Sequence, residues 1–239
     1  MTNDDSMTTM DFVLPPPAVV AIPVAGTAGY FPVRRVYCVG RNYVAHIKEM
    51  GGDERAPPFF FQKPRDAIVP NGAAVAYPSQ TTDFQYEIEL VLAVGKGGRD
   101  IPLAEAADHV FGLAVGIDLT RRDLQLAARD SGRPWEAGKS FDASAPITKI
   151  HPLSGAKMPA KGKIALSVNG EIKQSGDLSE LIWSCDEIVA HLSKLYELQP
   201  GDLIFTGTPS GVGKLAPGDS IEGSVEGVDV LTLTIGEAA

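Results

Sequence analysis

The chain has 239 residues, 44% hydrophobic and 21% charged, which suits one globular domain with a sizeable core. Its 21 basic against 30 acidic residues give a net charge of −9, which excludes a broad nucleic-acid or anionic-membrane surface but not a local pocket for an anion. Cys38 and Cys185 are too few for a disulfide framework, and no leader or membrane-spanning run is expected, so the expected location is the cytoplasm.

Residues 1–32 hold Pro15, Pro16, Pro17 and Pro23 and lack sustained periodicity, so they read as an N-terminal arm before a domain over 33–239. Val33–Val39 reads as a strand ended by Gly40. Asn42 then suits the N-cap of a short helix to about Met50, stopped by Gly51-Gly52. Further strands are expected at Phe59–Gln62, Tyr86–Val94 and Val110–Leu119. Pro102–His109 and Arg121–Arg129 read as helices, the first with Pro in its opening turn. Asn169-Gly170 between two apolar runs is a two-residue hairpin signal. Cys185–Leu198 is the clearest helix, with Ser184 and Glu187 as a capping box. Pro200-Gly201-Asp202 and Pro217-Gly218-Asp219 are matching type II turn signals, each leading into a strand; Leu203–Thr206 and Val228–Ile235 close the set. Strands outnumber helices and do not alternate with them, so the expected class is α+β, β-rich, in a roll.

Tyr86-Glu87-Ile88-Glu89-Leu90 carries the most chemistry. In a strand, Glu87 and Glu89 share a face roughly 6.6 Å apart along the chain. Two carboxylates that close call for a cation between them, and oxygen donors suit a hard one. The same pattern also describes a half-solvated strand with two surface glutamates. Asp118, at the end of Val115-Gly116-Ile117, is a third carboxylate where a helix begins, or simply that helix's cap. His46 and Glu49, three apart, form either a general base with its orienting carboxylate or an ordinary surface pair. Lys139, in Gly138-Lys139-Ser140, is wrongly spaced for a phosphate loop. Arg122 and Gln125 are one turn apart and can share a site or sit in solvent. Thr206-Gly207-Thr208 offers backbone N–H groups to an anion, or is a plain loop.

Taken in order, Tyr37–Tyr43, His46, Glu49, Tyr86–Leu90, Asp118 through Gln125, Gly138–Phe141 and Thr206–Gly213 resemble the fumarylacetoacetate hydrolase family over about residues 33–235. The resemblance implies a mixed β-sheet roll with peripheral helices, a homodimer, and Mg²⁺ or Mn²⁺ on Glu87, Glu89 and Asp118, with Ca²⁺ as a third cation suited to the same oxygens. Larger members have a fourth acidic ligand where this chain has Val39. The resemblance also implies His46 as base, oriented by Glu49, with Lys139 and Gln125 at the oxyanion. It makes Arg41, Lys63, Arg122 and Thr208 the substrate-carboxylate residues. The implied substrate is a small acylpyruvate, fumarylpyruvate fitting best among them, cleaved at a carbon–carbon bond. The same groups suit oxaloacetate decarboxylation, and a non-catalytic metal-binding module is the remaining alternative.

Overall fold

Ile88–Val94 runs through the middle of the protein with every residue buried. Alternation sorts its side chains: Ile88, Leu90, Leu92 and Val94 point into one apolar core, Val91 and Ala93 into another. A strand with both faces covered needs layers on either side. The structure, a computed structural model describing residues 12–43 and 56–238, supplies them.

The main sheet is mixed. Its order is Phe59–Lys63, Val36–Gly40, Leu203–Phe205, Ile88–Val94, Val110–Ile117, Ala145–Ile147 and Ile68–Pro70, with His151–Pro152 also paired to Val110–Ile117. Leu203–Phe205 runs parallel to Val36–Gly40 and antiparallel to Ile88–Val94. A five-stranded sheet covers one face, in the order Glu171–Asp177, Lys163–Val168, Ser220–Val225, Asp229–Ala238 and Ala74–Tyr77. Its Ile164, Leu166, Ile221, Leu231 and Leu233 join Leu90 and Ile117 in the larger core. At roughly 25 cal/mol per Å² of apolar surface, burial of each such side chain stabilises the fold by about 1.5–3 kcal/mol.

The other core is closed by the chain's own beginning. Ala21–Pro23 and Tyr30–Pro32 form an antiparallel pair, and Ile22, Val24, Phe31 and Val33 are buried against Val36, Cys38 and Phe205. The second half of the expected arm is therefore a packed hairpin. Residues 12–20, ahead of that hairpin, lack regular structure.

Turn chemistry sets several connections. Asp202 N–H donates to Gln199 O and Asp219 N–H to Ala216 O, both at 3.1 Å, closing two Pro-Gly turns. Gly201 and Gly218 sit at φ +99° and +91°, the left-handed value that the third position of a type II turn requires. Asn169 and Gly170, both at positive φ, make the tight hairpin between Lys163–Val168 and Glu171–Asp177. Cys185–Leu195 is an α-helix with the Ser184/Glu187 capping box formed.

Two expectations change. Leu103–His109 is a 3-10 helix, not an α-helix; Pro102 precedes it and only Ala106 and His109 of its residues are buried, a face too narrow for two α-turns. The Asn42 amide donates to Trp183 O and Thr206 O and its carbonyl accepts from Trp183 N–H, so Asn42 pins the Val36–Gly40 exit to other loops. The helix expected beyond it, with His46 and Glu49, lies outside the described residues. Lastly, Tyr86–Val94 is not one strand. Phe84–Tyr86 belongs to a small sheet with Thr120–Arg121 and Gly213–Lys214, Ile88–Val94 to the large one, and the chain changes sheets at Glu87.

Candidate metal centre

The change of sheets places the acidic groups. Ile88 pairs with Ile117 at the end of the antiparallel ladder, and Asp118 N–H donates to Glu87 O at 2.8 Å. Glu87 and Asp118 therefore leave the sheet side by side. Glu89 comes from the adjoining turn of the pleat, on the same face as Val91. One carboxylate oxygen from each of the three lies within 4.8 Å of the others, and all three residues are buried.

Cations surround two of the three carboxylates. Lys139 Nζ donates to Glu87 Oε2, Asp118 Oδ2 and Thr120 Oγ1, each at 2.7 Å. Arg122 donates to Glu87 Oε1, to Gln85 Oε1 at 2.9 Å and to Gln125 Oε1 at 2.5 Å. Burial disfavours the Glu87 anion, but Lys139 and Arg122 more than offset it and hold its carboxyl well below the usual range. Burial likewise disfavours the Lys139 ammonium, while Asp118 and Glu87 outweigh that and raise its pKa. Glu89 differs. Its Oε2 accepts from Gly207 N–H at 2.7 Å, and no cation lies within ion-pair distance among the described residues. Burial and the nearby Asp118 and Glu87 push its carboxyl well up.

The donors suit a divalent cation. Asp118 Oδ1 is buried and paired with Lys63 Nζ at 2.8 Å. Three buried carboxylates whose oxygens converge, one of them without a cation among the described residues, fit a hard ion such as Mg²⁺ or Mn²⁺.

The triad lies in a pocket of about 320 Å³ that Arg41, Arg122, Gln125, Lys139 and Thr208 also line. Leu126, Phe61 and Trp135 give it an apolar wall. Lys63, expected among the substrate-binding residues, does not line this pocket. Its Nζ is buried behind Asp118 and donates to Leu119 O and Lys139 O. It is a support for the triad, because its three oxygen partners leave no room for a ligand carboxylate. His46 and Glu49 lie outside the described residues.

Other supports escape sequence reasoning. Gln174, fully buried, accepts from Ile88 N–H at 3.0 Å and donates to Thr208 Oγ1 at 2.9 Å and Pro209 O at 2.8 Å. Thr120 and Gln85 hold Lys139 and Arg122. The signal at Thr206-Gly207-Thr208 was partly readable: the Gly207 N–H does meet a carboxyl oxygen, that of the chain's own Glu89.

Residues 35–236 match the family described as fumarylacetoacetate (FAA) hydrolase, C-terminal. The chain is 49% identical over 180 residues to the fumarylpyruvate hydrolase of Ralstonia sp, covering 75% of this chain and 93% of that one. It is 39% identical over 202 residues to the mitochondrial oxaloacetate tautomerase FAHD1 of Homo sapiens, covering 84% and 91%. Among solved structures, fumarylpyruvate hydrolase from Pseudomonas aeruginosa in complex with Mn²⁺ and pyruvate superposes with a TM-score of 0.92 at 52% identity, covering 95% of this chain and all of that one. Matched sequence, matched fold and the acidic triad agree: the chain belongs to the fumarylacetoacetate hydrolase family.

Proposed function

We propose that this protein hydrolyses fumarylpyruvate to fumarate and pyruvate. The observation that carries this reading is the buried triad of Glu87, Glu89 and Asp118 opening into one pocket with Lys139, Arg122, Gln125 and Thr208. The chain is an enzyme of the carbon–carbon hydrolase class that goes with its family; fumarylpyruvate hydrolases at 49% and 52% identity support the choice of acyl group.

Glu87, Glu89 and Asp118 would hold Mg²⁺ or Mn²⁺, which when bound supplies Lewis acidity at the 2-oxo group of the substrate. Lys63 fixes Asp118 from behind. His46, oriented by Glu49, takes a proton from water, and the hydroxide adds to the acyl carbonyl carbon. Arg122 engages Gln125 through Oε1, which leaves the Nε2 amide free to donate, with Lys139, to the oxygen that gains charge. The bond from that carbon to the pyruvate methylene breaks, its electron pair leaves on the methylene carbon, and His46 returns the proton there. Gln174 donates to Thr208 Oγ1, so the Thr208 hydroxyl proton is directed to a substrate carboxylate. Arg41, also in the pocket wall, serves the same purpose. A homodimer and a cytoplasmic location belong to this proposal. Among the described residues no helix is long and apolar enough to cross a membrane.

A second reading has support from the oxaloacetate tautomerases at 39% identity: enolisation or decarboxylation of oxaloacetate needs the same metal but no attacking water. Assays with fumarylpyruvate, acetylpyruvate and oxaloacetate, with Mn²⁺ and with EDTA, separate the two. Metal-dependent release of fumarate and pyruvate is expected. Turnover of oxaloacetate alone would favour the second reading, and inactivity on all three would sink both.

A further inference from the structure

The Arg122–Asp130 helix turns one face to the pocket: Arg122, Gln125, Leu126 and Arg129 all line it. Their spacing of i, i+3, i+4 and i+7 is that of a single helical stripe. Arg122 stands at the buried end, on Glu87. Arg129 is two turns on, about 10 Å along the axis, and its side chain is 37% exposed, so it stands where the pocket meets solvent. Between them lie Leu126 and the apolar wall of Phe61 and Trp135, Trp135 itself braced edge-on against Phe59 at 5.2 Å.

Arg129 serves no visible structural purpose. Its guanidinium contacts only the adjacent Asp130, at 2.9 Å, among the described residues, and Asp130 is 65% exposed. Such a solvent-screened pair is weak and easily exchanged. A pocket with a metal triad at its closed end, an apolar middle and a guanidinium at its mouth matches a molecule with an anionic group at each end.

We infer that Arg129 binds the distal carboxylate of a dicarboxylate substrate and so sets the acyl-chain specificity; this rests on the acylpyruvate reading above. Length supports it. The six carbon–carbon bonds of a seven-carbon diacid span about 7 Å, two residues' worth of extended chain, whereas a four-carbon diacid spans about half of that. With one end at the triad, the longer chain covers most of the roughly 10 Å between Arg122 and Arg129 along the helix, leaving the rest to the Arg129 side chain, whereas oxaloacetate covers about a third.

The test uses the full chain loaded with Mn²⁺, its fold checked by thermal melting. One readout is the ratio of kcat/KM for fumarylpyruvate over acetylpyruvate, which lacks the second carboxylate. The other is binding of 2-oxoheptanedioate against 2-oxoheptanoate by calorimetry, which needs no turnover. Arg129→Gln is expected to cut both preferences by about tenfold to a hundredfold, and Arg129→Lys to keep part of them. Unchanged preferences in Arg129→Gln overturn the inference, as does their loss in Arg41→Gln instead. A wild-type protein that turns over neither substrate yet prefers the diacid through Arg129 defeats the hydrolase reading and leaves this one standing.

Discussion

Glu87 and Asp118 each sit against lysine or arginine, while Glu89 has one backbone N–H and two repelling neighbours. A divalent ion bound by Glu89 is therefore expected to displace a proton from it. Mn²⁺ binding at mildly acidic pH is expected to release protons, and calorimetry in buffers of different ionisation enthalpy measures them; a release unchanged by Glu89→Gln would refute the assignment. The same shift has a stability sign. A carboxyl whose pKa is higher folded than unfolded contributes stability that is full below the unfolded value and lost as pH rises through the folded one. Metal-free wild type should thus lose stability relative to Glu89→Gln as pH rises from about 4, the ordinary carboxylate value, through neutrality. Urea midpoints across that window test it, and parallel curves would contradict it. Lys139 carries the opposite burden. Lys139→Met removes the shared partner of Glu87 and Asp118 and should cost about 3–5 kcal/mol in the metal-free protein, with added Mn²⁺ recovering more of its stability than in wild type. Glu87-x-Glu89 and the strand end at Asp118 were legible as local patterns, but only the ordered run of family motifs joined them into a metal triad. Lys63 and Gln174 were not: they meet Asp118 and Thr208 only after strands far apart in the chain have paired.

At the scale of elements, turns and caps were the readable part, since their chemistry is written in two to four adjacent residues. Gly201 makes this quantitative. Its φ is +99°, and a Cβ there would lie 2.6 Å from Pro32 O. Gly201→Ala should destabilise by more than the ~1 kcal/mol of left-handed strain alone, whereas Gly218→Ala, with the same φ range and open space around it, should cost only that strain. Equal urea midpoints for the two variants would show that the Pro32 contact is immaterial. Loss of the Ser184 cap in Ser184→Ala should cost about 1 kcal/mol. What local pattern hid was the break at Glu87, because the alternation from Tyr86 to Leu90 passes without interruption into the apolar run to Val94. Only pairing partners reveal it: Gly213 and Lys214 on one side of the break, Val91 to Ala93 with Leu203–Phe205 on the other. The 3-10 helix at Leu103–His109 was likewise hidden, since Pro102 and an apolar stripe begin either helix type.

Across the whole molecule, the β-rich class was readable from strand number and the lack of alternation with helices, while the mixed order of the main sheet was not. Parallel contacts such as Leu203–Phe205 with Val36–Gly40 join residues more than 160 positions apart, beyond the reach of any local signal. A ligand that binds only the folded chain stabilises it by mass action, about 2.7 kcal/mol at a hundred times its Kd. EDTA should therefore lower the melting temperature and excess Mn²⁺ restore it, with Glu87→Gln, Glu89→Gln or Asp118→Asn abolishing the response. Because the chain crosses between sheets at Glu87, the small sheet is joined to the centre directly: Gln85, two residues away, pairs with the exposed Lys214. What happens deep in the pocket is thus two residues and one ladder pair from the outside surface. An environment-sensitive dye on a cysteine introduced at 214, with Cys38 and Cys185 buried and shielded from labelling, would turn that short path into an optical gauge of ion occupancy.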